Sequence, residues 1–110
     1  MESSNFVYII YILYILYIMV KRANIDPNVW GSNAWTFMHY VALSYPSLPT
    51  PQNKFNYKQF FWFLGQVLPC TSCSKNYKQH WKNYPIDEYL ESSNKLFEWT
   101  VIIRNAIKQQ

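Results

Sequence analysis

Apolar positions divide the chain into one continuous run and a set of periodic stretches. From Phe6 to Val20 every residue is aliphatic, aromatic or Met, with Tyr8, Tyr11, Tyr14 and Tyr17 at every third place. The run is shorter than the ~20 residues of a simple membrane span, although flanking residues can snorkel. Glu2 precedes it and Lys21-Arg22 close it. No small-residue cleavage site follows, which argues against a removed signal peptide. The basic C-terminal flank predicts that whatever follows stays on the cytoplasmic side. Residues 1–22 therefore read as a hydrophobic N-terminal segment serving as a membrane anchor, with residues 6–20 as the membrane-associating part. Met19 opens an alternative start. The competing reading is a dispensable leader ahead of a soluble protein.

Residues 23–110 carry helical periodicity. Asp26-Pro27 pairs an N-cap residue with proline at the first helical position. Val29, Trp30, Ala34, Phe37, Met38, Val41 and Ala42 then recur at helical spacing until Tyr45-Pro46 stops the pattern. Pro46, Pro49 and Pro51 read as a stiff loop. Asn56 to Leu68 predicts a second helix on Phe60, Phe61, Phe63, Leu64 and Val67. Pro69 interrupts it, and a third helix begins at or near Cys70 and runs to about Trp81. Tyr84-Pro85 ends that stretch, and residues 85–90 allow one short helical turn. Ser92 or Ser93 caps a last helix from Asn94 towards Lys108, with Leu96, Trp99, Thr100, Ile103 and Ile107 on one face. No strand pattern and no internal repeat is visible. The expected fold is all-α: a four-helix bundle with a short additional helix.

Composition sharpens this picture. Aromatic residues are 20% of the chain and glycine occurs twice. Scarce glycine fits helices joined by short connections. The aromatic load suits a core of large rings and also a flat ligand or a broad partner surface. Net charge is +4. The lysines are scattered, without the dense run of a nucleic-acid arm, so no nucleic-acid partner is expected.

The chemistry concentrates in Leu68-Pro69-Cys70-Thr71-Ser72-Cys73, which holds both cysteines of the chain. A disulfide across so small a loop adds little stability, so the pair reads as chemical or metal-binding. At a helix N-terminus, free N–H groups and the helix dipole stabilise a thiolate and make the pair competent for exchange. Zinc would need Cys70, Cys73, His39 and His80 together, at a spacing that fits no common finger. A thioredoxin-type site would follow a strand, and none is visible. A dithiol passing electrons to a cofactor bound in a helical bundle uses both the helices and the aromatic residues.

Three motifs carry a resemblance. Trp30-Gly31-Ser32-Asn33-Ala34-Trp35-Thr36-Phe37-Met38-His39, with Ala42 and Tyr45-Pro46, resembles the opening helix of the Erv/ALR flavin-linked sulfhydryl oxidases, whose pattern is W-x-x-x-H-x-x-A-x-x-Y-P. Leu68 to Cys73 resembles their active-site C-x-x-C. Trp99 to Ile107 resembles their last FAD-binding stretch, W-x-x-x-x-H-N-x-V-N. The motifs stand in family order over about residues 29–108, and the short form looks most like those of large cytoplasmic DNA viruses. Arg104 replaces the usual His, Lys108 the final Asn, and Asn76 a His found in many members beyond the C-x-x-C.

The resemblance implies a thiol oxidase that holds FAD within the bundle and forms disulfides in partner proteins. It implies that Cys70 and Cys73 are catalytic. A substrate thiolate attacks at the more exposed Cys70, Cys73 hands both electrons to FAD, and molecular oxygen reoxidises the flavin to give hydrogen peroxide. It implies cofactor contacts from Trp35, His39, Tyr45, Trp99 and Asn105, with Arg104 and Lys108 available to a pyrophosphate. With no second cysteine pair, the substrate is expected to be a dithiol protein, thioredoxin-like or bearing its own C-x-x-C, that docks directly beside Cys70. A homodimer is expected, membrane-associated with the oxidase domain (residues 23–110) in a host cytoplasm or virion. The rival reading is a non-enzymatic, membrane-tethered module in which Cys70 and Cys73 bind zinc or a protein; a second rival is a cofactor-free thiol–disulfide exchanger.

Overall fold

A computed structural model describes residues 2–108. Met1, Gln109 and Gln110, at the outer ends of the two expected segments, lie outside the described residues. The elements are α1 (Glu2–Val20), α2 (Pro27–Leu43), α3 (Pro51–Gln66), α4 (Thr71–Asn83), a 3₁₀ turn (Ile86–Tyr89) and α5 (Ser93–Lys108). No strand occurs among the described residues, and the fold is all-α.

Each helix starts for a local reason. The Asp26 carboxylate accepts the Asn28 N–H at 3.0 Å, with Pro27 as the first helical residue. α3 begins five residues earlier than the hydrophobic pattern predicts. Thr50 and Asn53 form a reciprocal capping box there: each side chain accepts the other's backbone N–H, at 3.1 and 2.9 Å. Pro51 is thus the first residue of a helix rather than part of a loop. α3 also ends at Gln66, two residues before the expected Leu68, with Val67 as its C-cap. α4 starts directly behind Cys70, as expected, and the Ser92 hydroxyl caps α5 by accepting the Lys95 N–H at 3.2 Å.

α2 packs chiefly on α5, and α4 packs on both α3 and α5. Trp99 sits fully buried at the junction, its ring edge-on to Phe61 and Trp81 with centroids 5.3 and 5.8 Å away. Its indole N–H donates to the Tyr84 carbonyl at 2.8 Å. Between α3 and α4, a Cβ added to Gly65 would overlap the Tyr77 ring. The two helices approach this closely because residue 65 has no side chain. The Tyr77 hydroxyl donates to the Phe61 carbonyl at 2.7 Å, and burial raises its pKa, so it stays a donor.

α1 stands apart from the core. Every residue from Phe6 to Val20 is exposed, and the molecule extends 69 × 30 × 22 Å. Among the described residues no helix is long and apolar enough to cross a membrane. The fifteen-residue run of α1 spans about 22 Å at ~1.5 Å per residue, against a hydrocarbon core of ~30 Å.

Candidate active site

Cys70 and Cys73 are joined in a disulfide on the first turn of α4. Cys70 is the N-cap: its backbone is extended, and its sulfur accepts the Cys73 N–H at 3.2 Å and meets the Ser72 hydroxyl at 3.2 Å. A sulfur so held lies at the positive end of the helix dipole, where negative charge is favoured. The segment 22–25, between α1 and α2, lies along this turn. Arg22 donates to the carbonyls of Gln66 and Leu68, the Ile25 N–H to the Pro69 carbonyl at 2.8 Å, and Asn24 accepts from Thr71.

Contrary to expectation, Cys70 is not the more exposed residue of the pair: it is 8% exposed, whereas Cys73 is half-buried. Cys70 lies between residues tied down by the 22–25 segment, and Cys73 faces a cavity.

That cavity, about 210 Å³, lies between α2 and α4 with Ile107 of α5 at its side. Trp30, Ala34, Trp35 and Met38 form its α2 wall, at the spacing of one helical face. Cys73 and Asn76 contribute from α4. The Trp30 indole is fixed by donating to the Ile25 carbonyl at 2.9 Å. Gly31 also lines the cavity, and a Cβ there would meet nothing within 4 Å, so it would project into open space.

His39 follows Trp35 by one turn, their ring centroids 6.3 Å apart. Its Nδ1 lies 2.8 Å from the Thr100 hydroxyl, and that hydroxyl donates its proton to the Phe97 carbonyl at 2.6 Å. Thr100 must then accept from His39, so Nδ1 carries the proton and Nε2 presents a lone pair. Burial, and secondarily the Arg104 guanidinium, hold the His39 pKa below its ordinary value. The imidazole is therefore neutral near pH 7. Arg104 Nε is buried without a partner. Trp35/His39 on α2 and Ile107/Arg104 on α5 are each about one turn apart, so His39 and Arg104 lie one turn beyond the cavity wall.

The structure places Trp35 and Cys73 in the cavity wall, with His39 beside Trp35 and Arg104 near His39. It does not bring Tyr45 or Trp99 to the cavity wall. Tyr45 is buried with its ring against Tyr57 at 4.8 Å, its hydroxyl donating to the Leu90 carbonyl at 2.7 Å. Burial, then Glu91 and Tyr57, raise its pKa. Asn105 and Lys108 are exposed on α5. Trp30, Gly31 and Asn76 are wall residues to which sequence reasoning gave no role, although Trp30 and Ala34 share the helical face of Trp35 and Met38. Among the described residues no three of His, Cys, Asp and Glu come together, so the zinc reading has no site.

A model of the Erv1/Alr family matches residues 32–110. A protein of Acanthamoeba polyphaga mimivirus, named a probable FAD-linked sulfhydryl oxidase, is 44% identical over 84 residues, which are 76% of this chain and 59% of that one. The mitochondrial FAD-linked sulfhydryl oxidase of Saccharomyces cerevisiae is 33% identical over 86 residues, 77% of this chain and 44% of that one. The chain therefore spans about half the length of these relatives. The crystal structure of the yeast Erv1 core aligns with a TM-score of 0.71 at 30% identity, covering 81% of this chain and 74% of that one. The family match covers most of the chain, including the redox turn and, from residue 32 onward, the helices that wall its cavity, and the chain belongs to the Erv1/Alr family.

Proposed function

We propose that this chain is a FAD-linked sulfhydryl oxidase that forms disulfides in a dithiol protein. The observation that carries the reading is a disulfide with one sulfur-bearing residue, Cys73, in the wall of a tryptophan-lined apolar cavity. The residues present fit the cofactor. Trp30, Trp35 and the bare backbone of Gly31 suit the face of a flat ring system. The cavity is smaller than the ~300–1,000 Å³ of whole-ligand pockets, so it accepts the flat part alone. The neutral His39 and the unpartnered Arg104 Nε supply an acceptor and a donor for the polar remainder. The bound flavin supplies two-electron acceptance and reoxidation by molecular oxygen, with hydrogen peroxide as product.

The chain's own residues perform the exchange. A substrate thiolate attacks the Cys70 sulfur, the Cys70–Cys73 bond breaks, and Cys73 leaves as a thiolate facing the cavity. A second substrate thiolate attacks the substrate sulfur of the mixed disulfide and releases Cys70 as a thiolate. The substrate dithiol has then lost two electrons and the enzyme pair has gained them. The Cys73 N–H and the α4 dipole stabilise charge on Cys70. Substrate enters at Cys70, despite its burial, because the face of Cys73 belongs to the cofactor. The partner is a thioredoxin-like or C-x-x-C protein.

Two surfaces extend the reading. The outer faces of α2 and α3 expose Phe37, Phe63 and Val67 (59%, 59% and 67% exposed), joined through the Phe37–Phe60 contact at 6.3 Å. This face suits a homodimer. Residues 6–20 suit membrane association, with Lys21 and Arg22 at the anionic surface and the oxidase domain on the cytoplasmic side, in a host cytoplasm or virion.

The purified full chain is expected to be yellow, absorbing near ~450 nm as flavoproteins do, and to consume oxygen with dithiothreitol. Cys73→Ser abolishes flavin reduction; Cys70→Ser blocks exchange while FAD stays bound. A colourless protein that takes up no added FAD and consumes no oxygen refutes the proposal.

A further inference from the structure

We propose that Arg22 and Asn24 are positioning residues for the Cys70–Cys73 pair, acting through a backbone strap that biases the pair towards its disulfide. The proposal rests on the sulfhydryl-oxidase reading. Within the four residues 22–25, Arg22, Asn24 and Ile25 together make hydrogen bonds on both sides of Cys70. Arg22 Nη1 donates to the Gln66 carbonyl at 3.2 Å, and Nη2 donates to that of Leu68. The Ile25 N–H donates to the Pro69 carbonyl at 2.8 Å. Asn24 Oδ1 accepts both the N–H and the hydroxyl of Thr71, each at 2.7 Å.

Helix capping does not account for this set. α4 already has its N-cap in Cys70, whose sulfur takes the Cys73 N–H. Asn24 adds a second acceptor, on the N–H immediately following the exchange cysteine. The carbonyls of Gln66 and Leu68, at the end of α3 and just beyond it, receive the Arg22 guanidinium from a segment more than 40 residues away in sequence.

The consequence falls on the reduced state. While the disulfide exists, it holds the turn itself. Once it opens, only the cap and the strap keep the two sulfurs together, and their proximity sets how readily the bond re-forms. Asn24 also occupies the Thr71 N–H, which would otherwise be free to stabilise a Cys70 thiolate. Both effects favour the disulfide. Loosening the strap therefore favours the dithiol and raises the reduction potential.

The test equilibrates the full chain anaerobically in glutathione buffers, quenches it in acid and counts free thiols by alkylation and mass. Asn24→Ala is expected to shift the equilibrium about tenfold towards the dithiol, ~30 mV. Arg22→Ala is expected to shift it about threefold in the same direction. Asn24→Asp keeps the acceptor and adds a negative charge opposing the thiolate, so it returns the equilibrium to the wild-type value or past it. A merely structural role would lower the melting temperature and leave these constants unmoved. Folded Asn24→Ala and Arg22→Ala variants within twofold of wild type, or shifted towards the disulfide, overturn the proposal. If Asn24→Ala does not fold, Arg22→Ala decides alone. Failure of the oxidase reading shows separately, as wild-type protein without flavin or oxygen uptake.

Discussion

Single residues decide what the cavity can hold. Gly31 is on α2 with open space where a side chain would point. Gly31→Ala should stabilise the helix by ~0.8–1 kcal/mol, since glycine is the poorer helix former. Gly31→Ile should fill the space and weaken FAD binding at least tenfold while the chain stays folded. Flavin titration monitored by absorbance, beside circular dichroism, checks this; an isoleucine variant with wild-type affinity would place the ring system elsewhere. His39 makes a second residue-scale prediction. Its folded pKa lies below the ordinary 6.5, so the unfolded chain binds its proton more readily. Stability is then fully present above about pH 6.5 and declines as pH falls from there towards the folded pKa. Thermal melts of wild type and His39→Gln should diverge over that window, the wild type losing more on acidification. Parallel curves would remove His39 as the cause. Trp35 and His39 were legible as one helical face from their spacing of four. Tyr45 and Trp99 share motifs with cofactor residues, but periodicity identifies a buried face without saying whether core or cavity lies opposite it.

Elements that begin with a local signal were legible, and those that depend on distant partners were not. Asp26-Pro27 and the Pro69-Cys70 step announce α2 and α4 because caps act within a few residues. The start of α3 was equally local, in Thr50, Pro51 and Asn53, but three prolines in six residues resemble a loop when the reciprocal cap is overlooked. The strap joining residues 22–25 to residues 66–71 leaves no trace in local pattern. The closest approach between elements, at Gly65 and Tyr77, is also long-range. Gly65→Ala gains ~1 kcal/mol of helix propensity but drives a methyl group into the Tyr77 ring, and overpacking of this kind costs ~1–3 kcal/mol. Displacing Tyr77 also strains its hydrogen bond to Phe61. The net effect should be destabilising, lowering the melting temperature by roughly 4 °C or more. A melting temperature at or above wild type would mean that α3 and α4 shift apart at little cost.

At the scale of the molecule, two apolar surfaces compete for explanation, and their shapes suit different proposed occupants. α1 is apolar all round, so no orientation of it on another protein buries more than part of its surface. A lipid interface can take much of it, and Lys21 and Arg22 at its end can meet anionic headgroups. The α2–α3 patch is one-sided and bridged by the Phe37–Phe60 contact, which suits an isologous contact with a second copy. In such a contact each substitution acts twice, so Phe63→Glu with Val67→Glu places four carboxylates in one interface. The two surfaces should therefore be separable. The full chain is expected to float with vesicles containing anionic lipid, and residues 19–110 alone to remain in the aqueous fraction. That truncated chain should still sediment as a dimer, and the double glutamate variant as a monomer that floats normally when α1 is present. Truncation that dissolves the dimer would move the interface to α1, and flotation without α1 would move the membrane contact to the bundle. Either result would reverse the assignment of occupants.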